Sequence, residues 1–368
     1  MKKLSILGEI TPAQFLRDYW QKKPLLIRQA MPGFKPVMSL AALAALAAQD
    51  DVEARLVTQT GGQWAMSQGP LADLPPPAEK GWTLLVQGAN LHHAGADAVL
   101  RQFRFLPDAR LDDLMISYAT DTGGVGPHYD SYDVFLLQAQ GRRHWRIGRQ
   151  KDLSLVPDMP VKILANFVAE QEFVLEPGDM LYLPPDWAHD GIAEGDCMTY
   201  SIGFRSPVKG EIARDLLQAL AEQAEDDVGC AIYRDPKQPA VSGSGEIPEG
   251  LVKFAQEALA AALKDPLALQ RSLGEIMTEP KAHVWFHGEQ EFEHGVGVRL
   301  DKRTRMMYDA KHVFINGESF RAAGSDAKRM RKLADSRELT VSEVAKLSED
   351  ARALLMQWGE DGWLYGLH

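Results

Sequence analysis

Between Leu114 and Phe204 the chain is a succession of short apolar stretches punctuated by Gly and Pro: LMISYAT, DVFLLQAQ, RHWRIG, EFVLEPGDMLYLPP and MTYSIGF. Stretches this short, rich in β-branched and aromatic residues and bounded by turn formers, read as strands. Many of them in series imply an antiparallel barrel or jelly roll. Strand side chains alternate faces, so in GPHYDSYDVFLLQAQGRRHWRIG, read as a β-hairpin, His128, Asp130, Tyr132, Val134 and Leu136 share one side. A carboxylate and an imidazole on an otherwise apolar side need a counter-charge, a hydrogen-bond partner or a metal, because burying an unpaired carboxylate is expensive.

The metal reading gains a second piece in LEPGDMLYLPPDWAHDG. Pro177 and Gly178 make a turn, DMLYLP a strand, Pro184 and Pro185 end it, and His189 follows at the start of the next element. His128, Asp130 and His189 then match the arrangement of two histidines and one carboxylate that covers one face of Fe(II) and leaves three positions open. That openness suits a 2-oxoacid cosubstrate, which chelates through its keto oxygen and C1 carboxylate, with O2 in the third position. The distal carboxylate of such a molecule needs a cation. In GRRHWRIG, Arg143 shares a face with Trp145 and Ile147 and reads as inward, where a planar guanidinium can hold a carboxylate through two parallel hydrogen bonds. His144 falls on the outward parity and is not expected to ligate. His92 and His93 lie in a loop-like stretch without a carboxylate pattern, and His283, His287, His294 and His312 are expected to be solvated or packed. An isolated HxD is a weak signal; the metal reading rests on its occurrence with an arginine downstream and a distal histidine.

At 368 residues the chain is long for one core, which implies two or three domains. Ahead of the strand region, TPAQFLRDY reads as a short helix capped by Thr11, KPLLIRQA as a strand, SLAALAALAAQ as a helix, and EARLVTQ and WTLLVQG as strands. After RSPVKG the period becomes helical, in EIARDLLQALAEQA, GLVKFAQEALAAALK and PLALQRSLGEIM. Residues 206–279 hold 7 basic and 13 acidic side chains. A helical segment this small is expected to pack on the barrel or on a second copy of itself. From Lys281 the chain mixes strands (GVGVRL, RMMYDA, HVFING) with two helices, SDAKRMRKLADSREL and TVSEVAKLSEDARALLMQWG, the order of a winged-helix-like module. Thr340 and Glu343 have capping-box spacing. This module carries 14 basic and 14 acidic residues, which disfavours DNA binding, and the net charge of −11 argues against bulk electrostatic affinity for nucleic acid. Cys197 and Cys230, without CxxC spacing, suggest neither a disulfide framework nor a thiolate zinc site. Glu9 interrupts the apolar start before signal-peptide length, and no apolar stretch approaches a membrane span, so a cytoplasmic protein is expected.

The segments GGVGPHYDSYDVFLLQAQGRRHWRIG, LEPGDMLYLPPDWAHDG and MTYSIGFRSP, with FLRDYWQKKPLLIRQAMPGF near the start, resemble the JmjC/cupin Fe(II)- and 2-oxoglutarate-dependent oxygenases, specifically their bacterial ribosomal oxygenase branch. The resemblance covers nearly the whole chain. It implies an α+β fold: a double-stranded β-helix (jelly-roll) catalytic domain over 1–205, a helical dimerisation region over 206–280 and a winged-helix-like domain over 281–368. It also implies hydroxylation, at Cβ, of an arginine in protein sixteen of the large ribosomal subunit, by a homodimer that binds neither membrane nor nucleic acid directly. Carried across by position, His128, Asp130 and His189 would bind Fe(II) and Arg143 the distal carboxylate of 2-oxoglutarate. Thr199 would adjoin the cosubstrate, where close bacterial relatives can carry asparagine. Eukaryotic members use lysine at the position of Arg143 and act on histidine, so Arg143 favours the arginine reading. A substrate guanidinium stays charged and needs an acceptor near the metal mouth; Asp121, Tyr132 and Ser206 are the candidates. Read from residues alone, a cupin acting on a small molecule and a metal- or ligand-sensing regulator with winged-helix output stay open as alternatives.

Overall fold

The computed structural model describes residues 5–288, 295–321 and 323–367; His294 lies outside them. The chain divides into two compact units, Met1–Ser206 and Pro207–His368.

The first unit contains helices α1 (Pro12–Asp18), α2 (Leu40–Ala47), α3 (Ala89–His92) and α4 (Ala94–Leu100). Its strands are β1 (Leu25–Ile27), β2 (Ala54–Thr60), β3 (Gln63–Gln68), β4 (Trp82–Val86), β5 (Leu111–Ala119), β6 (Val134–Arg149), β7 (Gln171–Leu175), β8 (Met180–Leu183) and β9 (Trp187–Phe204). They form one nine-stranded sheet in the order β1-β8-β6-β9-β5-β4-β2-β3, with β7 also paired to β6. All the pairings are antiparallel. β6 and β9 form its spine. The first half of β6 pairs with β8 and with the end of β9, and its second half pairs with β7 and the start of β9. One long strand thereby belongs to both halves of the jelly roll.

The expected hairpin is in fact this single strand. Gly141 sits in mid-strand with φ +62, and a Cβ there would lie 2.1 Å from the carbonyl oxygen of Asp196. The glycine marks a close crossing of two chains rather than a turn. MTYSIGF is likewise the second half of β9, not a separate strand. His92 and His93 lie in and just after α3 rather than in a loop, and β3 has no counterpart among the expected elements.

Alternation along β6 divides the apolar residues between two cores, its parity switching at the register shifts around Gln140. Phe135 and Leu137 join a large cluster with Phe15, Phe103, Tyr182 and Phe204. Val134, Leu136, Trp145 and Ile147 join Leu175, Leu181, Leu183 and Trp187 on the other face. Helix α1 closes the first cluster. Thr11 and Gln14 form a reciprocal capping box, and Phe15 packs against the rings of Tyr182 and Phe135 at 4.9 and 5.4 Å between centroids.

The second unit contains α5 (Lys209–Val228), α6 (Glu249–Ala262) and α7 (Ala268–Thr278), then β10 (Gly297–Leu300), β11 (Met306–Tyr308), β12 (His312–Ile315), β13 (Glu318–Arg321), α8 (Gly324–Ser336), β14 (Glu338–Leu339), α9 (Val341–Val344), α10 (Glu349–Glu360) and β15 (Leu364–Leu367). Helix α7 lies on the β11–β12–β13 sheet. Ser319 donates to Glu275 at 2.5 Å, and Gly274 leaves room for the ring of Phe314. The expected last helix is two, because Ser348 caps a new start by accepting the amide of Ala351; the capping box of Thr340 and Glu343 opens α9.

Candidate metal centre

His128 precedes β6 and lies in a single bridge to β9, where its amide donates to the carbonyl of His189 at 3.0 Å and its carbonyl accepts the amide of His189 at 2.8 Å. The HxD pair is therefore held outside the regular strand by its partner histidine, a correction to the alternation argument, which placed it within the strand. Asp130 is fixed by its backbone, whose carbonyl accepts the amide of Asp186 at 2.9 Å. The rings of His128 and His189 are 4.3 Å apart, and His189 also packs on Trp145.

The potential ligand atoms of His128, Asp130 and His189 all lie within 4.8 Å of one another, the one such group of three among the described residues. Nδ1–H of His128 faces the carbonyl of Gly126 at 2.9 Å, and Nδ1–H of His189 faces that of Trp187 at 3.0 Å. With both protons donated to carbonyls, each Nε2 carries the lone pair a metal needs. Burial pushes the pKa of His189 down to about 4, reinforced by His128 and opposed by the charge of Asp130. Two imidazoles and one carboxylate converging from one side are a donor set that fits Fe(II).

Arg143 lies four residues before Ile147, which pairs with His189, and on the same strand face. It is 5% exposed, and its guanidinium donates from Nη1 to Oγ of Ser117 at 3.3 Å. Its Nε and Nη2 are buried without a partner. A buried guanidinium with unused donors is costly and calls for an anion. The indole of Trp145 lies 5.7 Å from the guanidinium carbon, and Gly191 makes room for it, since a Cβ there would sit 2.7 Å from the indole.

Thr199 is fully buried and pairs with Ser117 across β5 and β9. Its hydroxyl donates to Oε1 of Gln138 at 3.0 Å, and its carbonyl accepts the hydroxyl of Ser117 at 3.3 Å. Thr199 thus connects to Arg143 through Ser117. Neither Ser117 nor Gln138 was singled out in the sequence, although each is a small or polar residue within an otherwise apolar strand, a pattern that could have flagged them.

The proposed substrate acceptors separate. Tyr132 stands beside Asp130, hydrogen-bonded to it, with 40% of its surface exposed rather than buried on the barrel face. Ser206 follows the end of β9, and its hydroxyl is buried without a partner. Asp121, by contrast, takes a hydrogen bond from Lys80 at 2.8 Å and one from the amide of Gly195 at 2.8 Å. Gly195 is six residues along β9 from His189, about 20 Å at strand rise. Asp121 holds a turn and is not brought to the metal group. His144, on the outward face, pairs with Glu172, and buried His312 with Asp309.

A model of the JmjC domain matches residues 98–212, and a model of the ROXA-like winged helix matches residues 261–365. The chain is 36% identical over 270 residues to the ribosomal protein uL16 3-hydroxylase of Escherichia coli, covering 73% of this chain and 71% of that one. It is 30% identical to a probable ribosomal oxygenase of Haemophilus influenzae over 96% of each. Among solved structures, that of E. coli ycfD superposes with a TM-score of 0.83 at 29% identity, covering 97% of this chain and 98% of the other. A ycfD complex with cobalt and 2-oxoglutarate superposes with a TM-score of 0.79 over 97% and 98%.

Proposed function

The chain belongs to the JmjC-type bacterial ribosomal oxygenases, and from that premise we propose that it hydroxylates Cβ of an arginine in ribosomal protein uL16, using Fe(II), 2-oxoglutarate and O2. The observation that carries this reading is the pairing, in one barrel, of the His128–Asp130–His189 group with a buried arginine that lacks an anion. Bound Fe(II) and 2-oxoglutarate supply the oxidising power, with decarboxylation to succinate and CO2 and transfer of one oxygen atom to the substrate C–H bond.

The chain's own residues supply position. His128, Asp130 and His189 hold the metal with their Nε2 and carboxylate oxygens, fixed by the Gly126 and Trp187 carbonyls behind the imidazoles. Arg143 offers Nε and Nη2 to the distal carboxylate of 2-oxoglutarate, while Ser117 holds Nη1. Trp145 and Ile147 keep water away, which strengthens that charge pair. Thr199 and Gln138 keep Ser117 in place, and Tyr132, beside Asp130, and Ser206, whose hydroxyl has no partner, are the residues we propose to receive the substrate arginine.

We read the protein as a homodimer formed through α5 and α6, because Leu217 and Leu259 are 67% and 64% exposed on helices that bury none of their described residues. We place it in the cytoplasm beside the ribosomal protein it modifies, with no direct nucleic-acid contact; no helix among the described residues is long and apolar enough to cross a membrane.

Incubation of large-subunit ribosomal proteins with the enzyme, Fe(II) and 2-oxoglutarate, followed by mass spectrometry, tests the reading. It requires a single-oxygen gain on an arginine of uL16 that is lost in His128→Ala. Succinate formation without any protein gain would remove the ribosomal target.

A further inference from the structure

Strands β6 and β7 pair directly, with Ile147 opposite Gln171, so a turn of about two to five residues would join them. Residues 150–170 intervene instead. They fold back on themselves: Leu155 bridges Leu164, Val156 N–H donates to Ile163 O at 2.8 Å, and Ala165 N–H to Ser154 O at 2.9 Å. The side chain of Gln150 ties both ends through Val168, and Asp152 accepts from Ser154 and Asn166. The segment is an ordered strap.

One side of the strap rests on the metal-ligand segment. Leu164 N–H donates to Pro127 O at 2.8 Å, directly before His128. Ile163 and Trp64 clasp Gly126, at 3.1 and 3.4 Å from where a Cβ would stand. Elsewhere the strap leaves Leu153, Leu155, Met159 and Val168 in the open, Val168 being 67% exposed. Four exposed apolar side chains within 16 residues of an ordered strap are more than the scattered single ones a surface ordinarily carries.

We propose that this strap is the docking surface for the polypeptide that flanks the hydroxylated arginine, and the inference rests on the protein-hydroxylase reading above. The occupant follows from continuity: the strap is hydrogen-bonded to Pro127, the residue preceding a metal ligand, and so adjoins the group at which a protein side chain would react. The strap's own charges, Lys151 and Lys162 against Asp152, Asp158 and Glu170, nearly cancel. Its contribution is apolar contact, and attraction for a basic ribosomal protein comes from the net charge of the whole chain, −11.

The test is steady-state hydroxylation of intact uL16 by the full-length Leu155→Ser/Met159→Ser double variant and by Val168→Ser, with substrate-free 2-oxoglutarate turnover and light scattering measured alongside. The expected result is a rise of about tenfold in KM for uL16 in the double variant, and a smaller rise in Val168→Ser. The KM for 2-oxoglutarate and kcat should stay within about twofold. Values of KM for uL16 within twofold of wild type in both variants overturn the proposal. A changed oligomeric state with unchanged KM also overturns it, and identifies the patch as a contact between copies. A wild-type enzyme that turns over 2-oxoglutarate but hydroxylates no ribosomal protein removes the protein-hydroxylase reading itself, and the strap's role with it.

Discussion

The barrel and the helices α5 and α6 are unfinished in opposite senses. In the barrel, polar groups are buried beyond what the chain itself satisfies: Arg143 keeps two donors without partners, and two imidazoles and a carboxylate converge on one point. In α5 and α6 none of the described residues is buried, and Leu217 and Leu259 stand in the open. A buried polar group awaits a small, charged ligand, because only that can return what desolvation took away. An exposed apolar face awaits another apolar face, because only area removed from water rewards it. The contrast separates a site for chemistry from a surface for association.

The contrast breaks first at His189. Replacing it by alanine removes a ligand, and hydroxylation should fall by more than about 100-fold, since loss of even an outer-shell partner costs 10–100-fold; metal titration followed by mass spectrometry of uL16 reads both losses. Arg143→Met sharpens the comparison further, because two measurements should move in opposite directions. Losing a charge-assisted pair worth about 1.5–3 kcal/mol should raise the KM for 2-oxoglutarate by roughly 10- to 150-fold. The same change removes an uncompensated buried charge, so without cosubstrate the variant should melt higher than wild type. A lower melting temperature would show that Arg143 is satisfied by the protein alone.

On the helical side, Leu217→Glu/Leu259→Glu should convert the proposed dimer to monomer in light scattering, while metal binding by the barrel changes little. The smallest effect concerns the edge of the barrel. Burial pushes the Asp179 carboxyl up, but hydrogen bonds from Gln29 N–H, the Arg28 guanidinium and Glu176 N–H outweigh it and hold the pKa below the usual range. A lowered folded-state pKa means that this stabilisation is present above the unfolded value, near pH 4, and is lost as pH falls through the folded one. Asp179→Asn should flatten that part of an acid-unfolding curve, at a cost of about 1–3 kcal/mol near neutrality.

Much of this was legible residue by residue. Thr11 announces α1, Thr340 and Glu343 announce α9, and parity along GRRHWRIG turns Arg143 inward, since each depends on neighbours a few positions away. The errors share one cause. Gly141 looked like a turn, but its carbonyl neighbour belongs to Asp196; Asp121 looked free for substrate, but Lys80 and Gly195 had already engaged it. Ser348 ended a helix that periodicity alone continued.

The sequence by itself determined the strand and helix periods, the HxD and distal histidine as a donor set, and the inward arginine, because side-chain direction within an element follows from local spacing. The tertiary structure decided that His128 is held by His189 rather than by its own strand, that Ser117 and Gln138 support Arg143 and Thr199, and that the strap lies against Pro127. These are pairings across many residues of chain, set by register and close approach of backbones, and no local pattern encodes which distant carbonyl a given amide will meet.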